Sequence, residues 1–125
     1  MSNIPQELKY TKDHEWAKVE GKTALVGITD HAQHELGDII YVELPQVGAE
    51  VTKGAQFGEI EAVKTVAPLN APLSGKVVEV NNVLADNAGV INSDAYAAGW
   101  IIKVELSHPE EAASLLSADQ YQELL

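Results

Sequence analysis

The sequence contains no cysteine. Disulfides and cysteine-type zinc sites are therefore excluded, and the chain has no thiol nucleophile of its own. Arginine is missing too: all eight cations are lysines, set against 19 acidic residues for a formal charge of −11. Nucleic-acid binding needs clustered cations to neutralise phosphates, and this chain repels a polyanion. Without arginine it also lacks the planar fork that grips phosphates and carboxylates at two points. No apolar run approaches the roughly 20 residues of a membrane-spanning helix. The start, Met1-Ser2-Asn3-Ile4-Pro5, has neither a basic segment leading into an apolar one nor an Arg-rich transit character. The expectation is a bacterial cytoplasmic protein, or a processed form from the mitochondrial matrix. Its acidity favours solubility and partners with basic docking faces.

What is present fits one compact domain over residues 1–125. The length of 125 residues is ordinary for a single domain, and the hydrophobic fraction of 46% argues against disorder. Glu15 to Val19 and Thr23 to Ile28 read as strands around a turn at Gly21. Thr29 is a suitable N-cap for a short helix, Asp30 to Leu36, and Gly37 a suitable stop. Asp38 to Leu44 is rich in β-branched and aromatic residues and ends at Pro45. Phe57 to Val63 alternates, with Gly58, Ile60 and Ala62 on one side and Phe57, Glu59, Glu61 and Val63 on the other. Further strands are expected at Val66–Leu73, Lys76–Val80 and Trp100–Leu106, and residues Asn81 to Asp94 read as loop. Two short C-terminal helices begin near Pro109 and after Ser117, each with a capping pattern. Many short strands at regular spacing favour a sandwich or barrel.

Chemistry points to one segment. Two β-patterned runs flank Lys64, yet no Gly, Asn or Asp marks the reversal at Val63-Lys64-Thr65. Tight hairpins favour Asn-Gly or Asp-Gly because both central residues need positive φ. This tip must use a turn without that requirement, projecting Lys64 into solvent. Spacing alone leaves two readings open: an ordinary solvated lysine, or one that a modifying enzyme and later partners can reach. Elsewhere the signals are bland. His31 and His34 share a helical face, but no HExxH pattern accompanies them, and they read as a solvated face. Trp16 and Trp100 read as core. No nucleophile elbow or phosphate loop appears.

The segment Glu61-Ala62-Val63-Lys64 resembles the lipoyl-lysine hairpin of glycine cleavage system H proteins, where Glu-Ser-Val-Lys is typical. The likeness extends along the chain. Leu8-Lys9-Tyr10-Thr11-Lys12-Asp13-His14-Glu15-Trp16 is similar to the family's N-terminal signature. Val26-Gly27-Ile28-Thr29-Asp30-His31-Ala32-Gln33 and Leu36-Gly37-Asp38 resemble the start and end of its helix. Val42-Glu43-Leu44-Pro45-Gln46-Val47-Gly48, Val90-Ile91-Asn92 and Gly99-Trp100-Ile101-Ile102-Lys103 match its remaining segments in order.

The resemblance implies a mostly β, barrel-sandwich hybrid fold with a short internal helix and two short C-terminal helices. It implies a monomeric carrier without catalysis of its own, bearing lipoate as an amide on Lys64. The partners it implies are a glycine decarboxylase (P protein), an aminomethyltransferase (T protein), a dihydrolipoamide dehydrogenase (L protein), and a lipoate ligase or lipoyl transferase. Hard chemistry then belongs to the cofactor, and tethering replaces free diffusion. A cysteine-free carrier also offers no thiol for exchange with a reduced dithiol arm. Glu61 and Gly48 match the family's lipoylation-recognition positions. Asp13, Glu15, His34 and Glu35 fall near its arm cleft, where a carboxylate would attract an amine.

Two departures stand out. Several relatives have His at the Glu35 position, whereas here it is one earlier, at His34. After the lysine many relatives read Ala-Ala-Ser-Asp, and this chain has Thr65-Val66-Ala67-Pro68. The competing readings are an H-like lipoyl relay, a lipoyl domain of a 2-oxoacid dehydrogenase (usually Asp-Lys-Ala), a biotin carrier (usually Met on both sides of the lysine), and an unmodified β-rich interaction module.

Overall fold

The computed structural model describes residues 3–125; Met1 and Ser2, at the start of the N-terminal stretch read above, lie outside it. The chain runs β1 (Lys9–Tyr10), β2 (Glu15–Glu20), β3 (Thr23–Ile28), α1 (Asp30–Leu36), β4 (Ile39–Glu43), β5 (Glu50–Val51), β6 (Gln56–Ala62), β7 (Val66–Asn70) and β8 (Gly75–Val80). There follow α2 (Val83–Asp86), α3 (Val90–Ser93), β9 (Ile102–Leu106), a 3-10 helix (Pro109–Ser114) and α4 (Ala118–Gln122).

The strands form a six-stranded sheet in the order β1-β2-β3-β9-β8-β5 and a three-stranded sheet β4-β6-β7, with every named strand pair antiparallel. This is the mostly β, barrel-sandwich architecture that the sequence led us to expect. Alternation fills the space between the sheets: Val42, Ile60 and Leu69 from one meet Val26, Val77, Ile102 and Val104 from the other. Pro68 sits within β7 at no loss of pairing to a further strand, because β7 is an edge of its sheet.

A second, smaller cluster closes one end. Trp16 is fully buried there with Leu8, Tyr10, Ala118 and Tyr121, and its indole N–H donates to the Ala95 carbonyl at 3.0 Å. The indole lies flat on Gly27, where an added Cβ would come within 2.6 Å of the ring. Tyr10 and Tyr121 stack at 4.8 Å, which docks α4 onto β1. Trp100 is only half-buried, against the edge of this cluster.

The caps behave as their chemistry requires. The Thr29 side chain accepts from the Ala32 N–H, and Ser117 and Gln120 form a reciprocal capping box. Three expectations are corrected. Residues 81–94 are not plain loop: they wind into α2 and α3, placing Leu84, Ala88 and Ile91 in the core at helical spacing. The segment after Pro109 is a 3-10 helix rather than an α-helix. Strand β7 stops at Asn70, not Leu73, because Ala71 leaves β6 to form a bridge with Lys53. The two-residue strands β1 and β5 carry too few residues for an alternating pattern to reveal them.

Candidate functional site

Lys64 stands at the tip of the β6–β7 hairpin. Glu61 pairs with Val66, and the Ala62 N–H donates to the Thr65 carbonyl at 2.8 Å, so Val63 and Lys64 alone make the reversal. Among the described residues the one non-glycine with positive φ is His14, so neither tip residue needs the left-handed conformation. Residues Val63 to Val66 are all exposed.

The hairpin rests on the end of α1. The Val63 N–H donates to the Asp38 carbonyl at 3.0 Å, and Lys64 Cε lies 3.5 Å from where a Cβ on Gly37 would sit. Gly37 closes the helix at φ 78°, donating to the Gln33 carbonyl at 3.0 Å. Asn92, on α3, brackets this connector from below. Its Oδ1 accepts from the Ile39 N–H at 2.9 Å, and its Nδ2 donates to the Gly37 carbonyl at 2.8 Å and to Gln33 Oε1 at 3.0 Å. Asn92 therefore fixes the ledge without touching the lysine. Sequence reasoning passed over it because it fell in a polar stretch read as loop.

Asn92→Ala removes all three bonds and is expected to destabilise the fold by about 2 kcal/mol, seen in chemical denaturation. Hydrogen exchange at Ile39 and Val63 should accelerate while β8 and β9 stay protected. Unchanged protection at Val63 would show that the clamp does not reach the hairpin.

A cavity of about 260 Å³ opens elsewhere, walled by Thr11, Asp13, Glu15, Lys53 and Leu115. Glu15 is buried, with Oε1 accepting from the Thr11 hydroxyl at 2.8 Å and Oε2 accepting from the Asn70 N–H at 3.3 Å. Burial pushes its pKa from 4.5 up to about 7, against those two hydrogen bonds, which favour the carboxylate. Thr11 shapes the turn by accepting from both the Asp13 and Glu15 N–H groups at 3.2 Å. Beside it His14, at φ 68°, bonds to the Tyr121 hydroxyl at 2.7 Å, and that hydroxyl bonds to Thr29 at 2.8 Å. Burial, and then the His31 imidazole 4.9 Å away, hold His14 below the usual histidine range.

A model of the glycine cleavage H-protein family matches residues 8–125, which span the hairpin, its ledge and the cavity. The chain belongs to that family. It is 54% identical over 123 residues to the glycine cleavage system H protein of Myxococcus xanthus, covering 98% of this chain and 95% of that one. Against the glycine cleavage system H protein of Halalkalibacterium halodurans it is 54% identical over 125 residues, covering 100% and 98%. The crystal structure of a glycine cleavage system H protein from Mycobacterium marinum superposes with a TM-score of 0.88 at 41% identity, covering 98% of this chain and 100% of that one. Membership makes this chain a carrier component of the glycine cleavage system.

The H-protein resemblance singled out residues that the fold distributes over four places. Lys64 and Glu61 share the hairpin, with Glu61 exposed. Asp13 and Glu15 share the cavity, Asp13 at its exposed rim. His34 and Glu35 are both exposed on α1. The histidine drawn inward is instead His31, which lies against His14 and 3.9 Å from the Glu35 carboxylate. Reading His31 and His34 together as a solvated face is corrected for His31. Gly48 lies on the β4–β5 connection at φ 98°, its N–H donating to the Val77 carbonyl on β8 at 2.7 Å. It is needed there for its backbone conformation.

Proposed function

We propose that Lys64 carries lipoate in amide linkage and that the chain is the lipoyl shuttle of the glycine cleavage system. The observation that carries this is an exposed lysine at a two-residue hairpin tip that is tied to the α1–β4 connector through Val63 and to β4 through β6. A modifying enzyme needs a free amine, and successive partners need it displayed at a constant place on a rigid support. The lysine Nζ loses a proton as it bonds to the activated lipoyl carboxyl carbon, whose leaving group departs with the electron pair. When bound, the lipoyl group supplies the disulfide and dithiol chemistry that accepts and hands on an aminomethyl unit.

In this reading the chain does no catalysis itself. It visits a glycine decarboxylase (P protein), an aminomethyltransferase (T protein) and a dihydrolipoamide dehydrogenase (L protein), as a cytoplasmic monomer. Glu61 and Gly48 serve the lipoate ligase or lipoyl transferase. Glu15 is the anionic group of the arm cleft, with Asp13 at its rim and His34 and Glu35 on the helix that also supports Lys64.

Intact mass after incubation with lipoate, ATP and a lipoate ligase tests the attachment. The parent chain should gain one lipoyl group, and Lys64→Arg none. A folded parent chain that gains nothing would end the carrier reading.

A further inference from the structure

The outer face of the β4-β6-β7 sheet carries a pairing that the fold itself does not explain. Glu43 on β4 stands directly opposite Glu59 on β6, and Glu59 stands opposite Pro68 on β7. One row nearer the tip, Tyr41, Glu61 and Val66 are aligned in the same way. Like charges placed directly opposite across two strands destabilise a sheet. Neither ion pair among the described residues involves Glu43, Glu59 or Glu61. The neighbouring row adds apolar surface instead of a cation, with Tyr41 53% and Val66 54% exposed. Two rows of six residues thus hold three carboxylates, two exposed apolar side chains and a proline, and the next feature along the hairpin is Lys64.

We infer that the face beyond Glu61 is the docking surface for the enzyme that acylates Lys64, a partner presenting cations to Glu43 and Glu59 and an apolar spot to Tyr41 and Val66. The inference rests on the reading of Lys64 given above. A cationic partner relieves the Glu43–Glu59 repulsion on binding, which gives the pairing a use. Reach decides which partner. An unmodified lysine extends only about 6 Å from its Cα, five bonds of roughly 1.5 Å in zigzag. An enzyme that must bring the bare Nζ to its own reacting carbon therefore presses against the sheet beside the hairpin. Partners met later are reached through a longer arm and can stand further off.

The experiment is steady-state lipoylation by a lipoate ligase over a range of acceptor concentrations, read by intact mass. Glu43→Lys/Glu59→Lys should raise the KM for the carrier about tenfold with kcat within twofold, and Tyr41→Ala should raise KM about threefold. Glu59→Gln is the discriminating variant: it should weaken docking while slightly raising Tm, because it removes the repulsive pair. A residue kept for stability would move both in the same direction. Glu79→Lys/Glu105→Lys, two exposed acids on the other sheet, makes the same change in net charge and should leave KM within twofold. Unchanged KM in the sheet variants, or an equal rise in the Glu79/Glu105 control, overturns the inference. Failure of the parent chain to be acylated at all would instead remove the reading of Lys64.

Discussion

Replacing Gly75 by alanine is expected to be among the most damaging single changes this chain can suffer. Gly75 opens β8, paired with Val51 of β5 on one side and Leu106 of β9 on the other. A Cβ built there comes within 2.1 Å of the Glu105 carbonyl oxygen, 2.5 Å of Val104 Cγ1 and 2.9 Å of the Glu105 carbonyl carbon. Two of those atoms are backbone, so no rotamer change relieves the clash. Strand β9 would have to move away from β8 and take Val104 and Leu106 out of register with the core. Overpacking of well-filled sites costs about 1–3 kcal/mol, and a rigid backbone neighbour places this substitution at the upper end or beyond. A fall in Tm of roughly 10 °C or more follows. Gly89→Ala is the matched control, because its Cβ meets only Asn87 Oδ1 at 3.5 Å, an ordinary contact. Equal thermal shifts in the two variants would show that the β8–β9 contact is not what holds Gly75.

The same pair of glycines shows what the sequence discloses and what it hides. The strands around Gly75 were legible because Val77 and Val104 alternate with polar neighbours, and β2 and β3 because they flank a turn glycine. Helix α1 was legible end to end, since Thr29 and Gly37 each have one clear structural use. The requirement at Gly75 was not legible, because it arises from a strand roughly thirty positions away. Helices α2 and α3 were hidden by composition: Asn81, Asn82, Asn87 and Asn92 suggest loop, and the helical spacing of Leu84, Ala88 and Ile91 is easily lost among them.

At the site, Lys64 was found because a reversal lacked the usual turn residues, and the family resemblance then gave that lysine a purpose. The ledge under it was not found. Asn92 acts on Gly37 and Ile39 from more than fifty positions away, and no local pattern encodes such a reach. The acidic rows on the outer sheet face were hidden for the same reason. Glu43 and Glu59 become a pair only when the β4–β6 register is known.

Glu15 supplies the second large effect, and its sign is the reverse of the usual carboxylate case. Most paired carboxylates have lowered pKa values and stabilise the fold above pH 4. Glu15 is buried, and its pKa rises from 4.5 to about 7 in the folded state. Between those values the folded chain binds more protons than the unfolded one, so stability falls as pH rises. The contribution is complete below about pH 4.5, is lost through the region up to pH 7, and does not return above it. Its ceiling is on the order of 3 kcal/mol, from about 1.4 kcal/mol for each pH unit separating the two states.

The parent chain's pH profile sums over all its ionisable groups, so it cannot by itself isolate Glu15. Glu15→Gln can, because it keeps the side-chain shape and an acceptor for the Asn70 N–H while removing the charge. In urea denaturation the variant should match the parent near pH 4.5 and exceed it at pH 8 by up to about 3 kcal/mol. A gap that is the same at both pH values would mean that Glu15 is ionised in the fold at little penalty, held by Thr11 and Asn70 rather than strained by burial. A gap opening with pH would establish a carboxyl poised near neutrality in the cavity wall, where an incoming amine would draw it into the charged form.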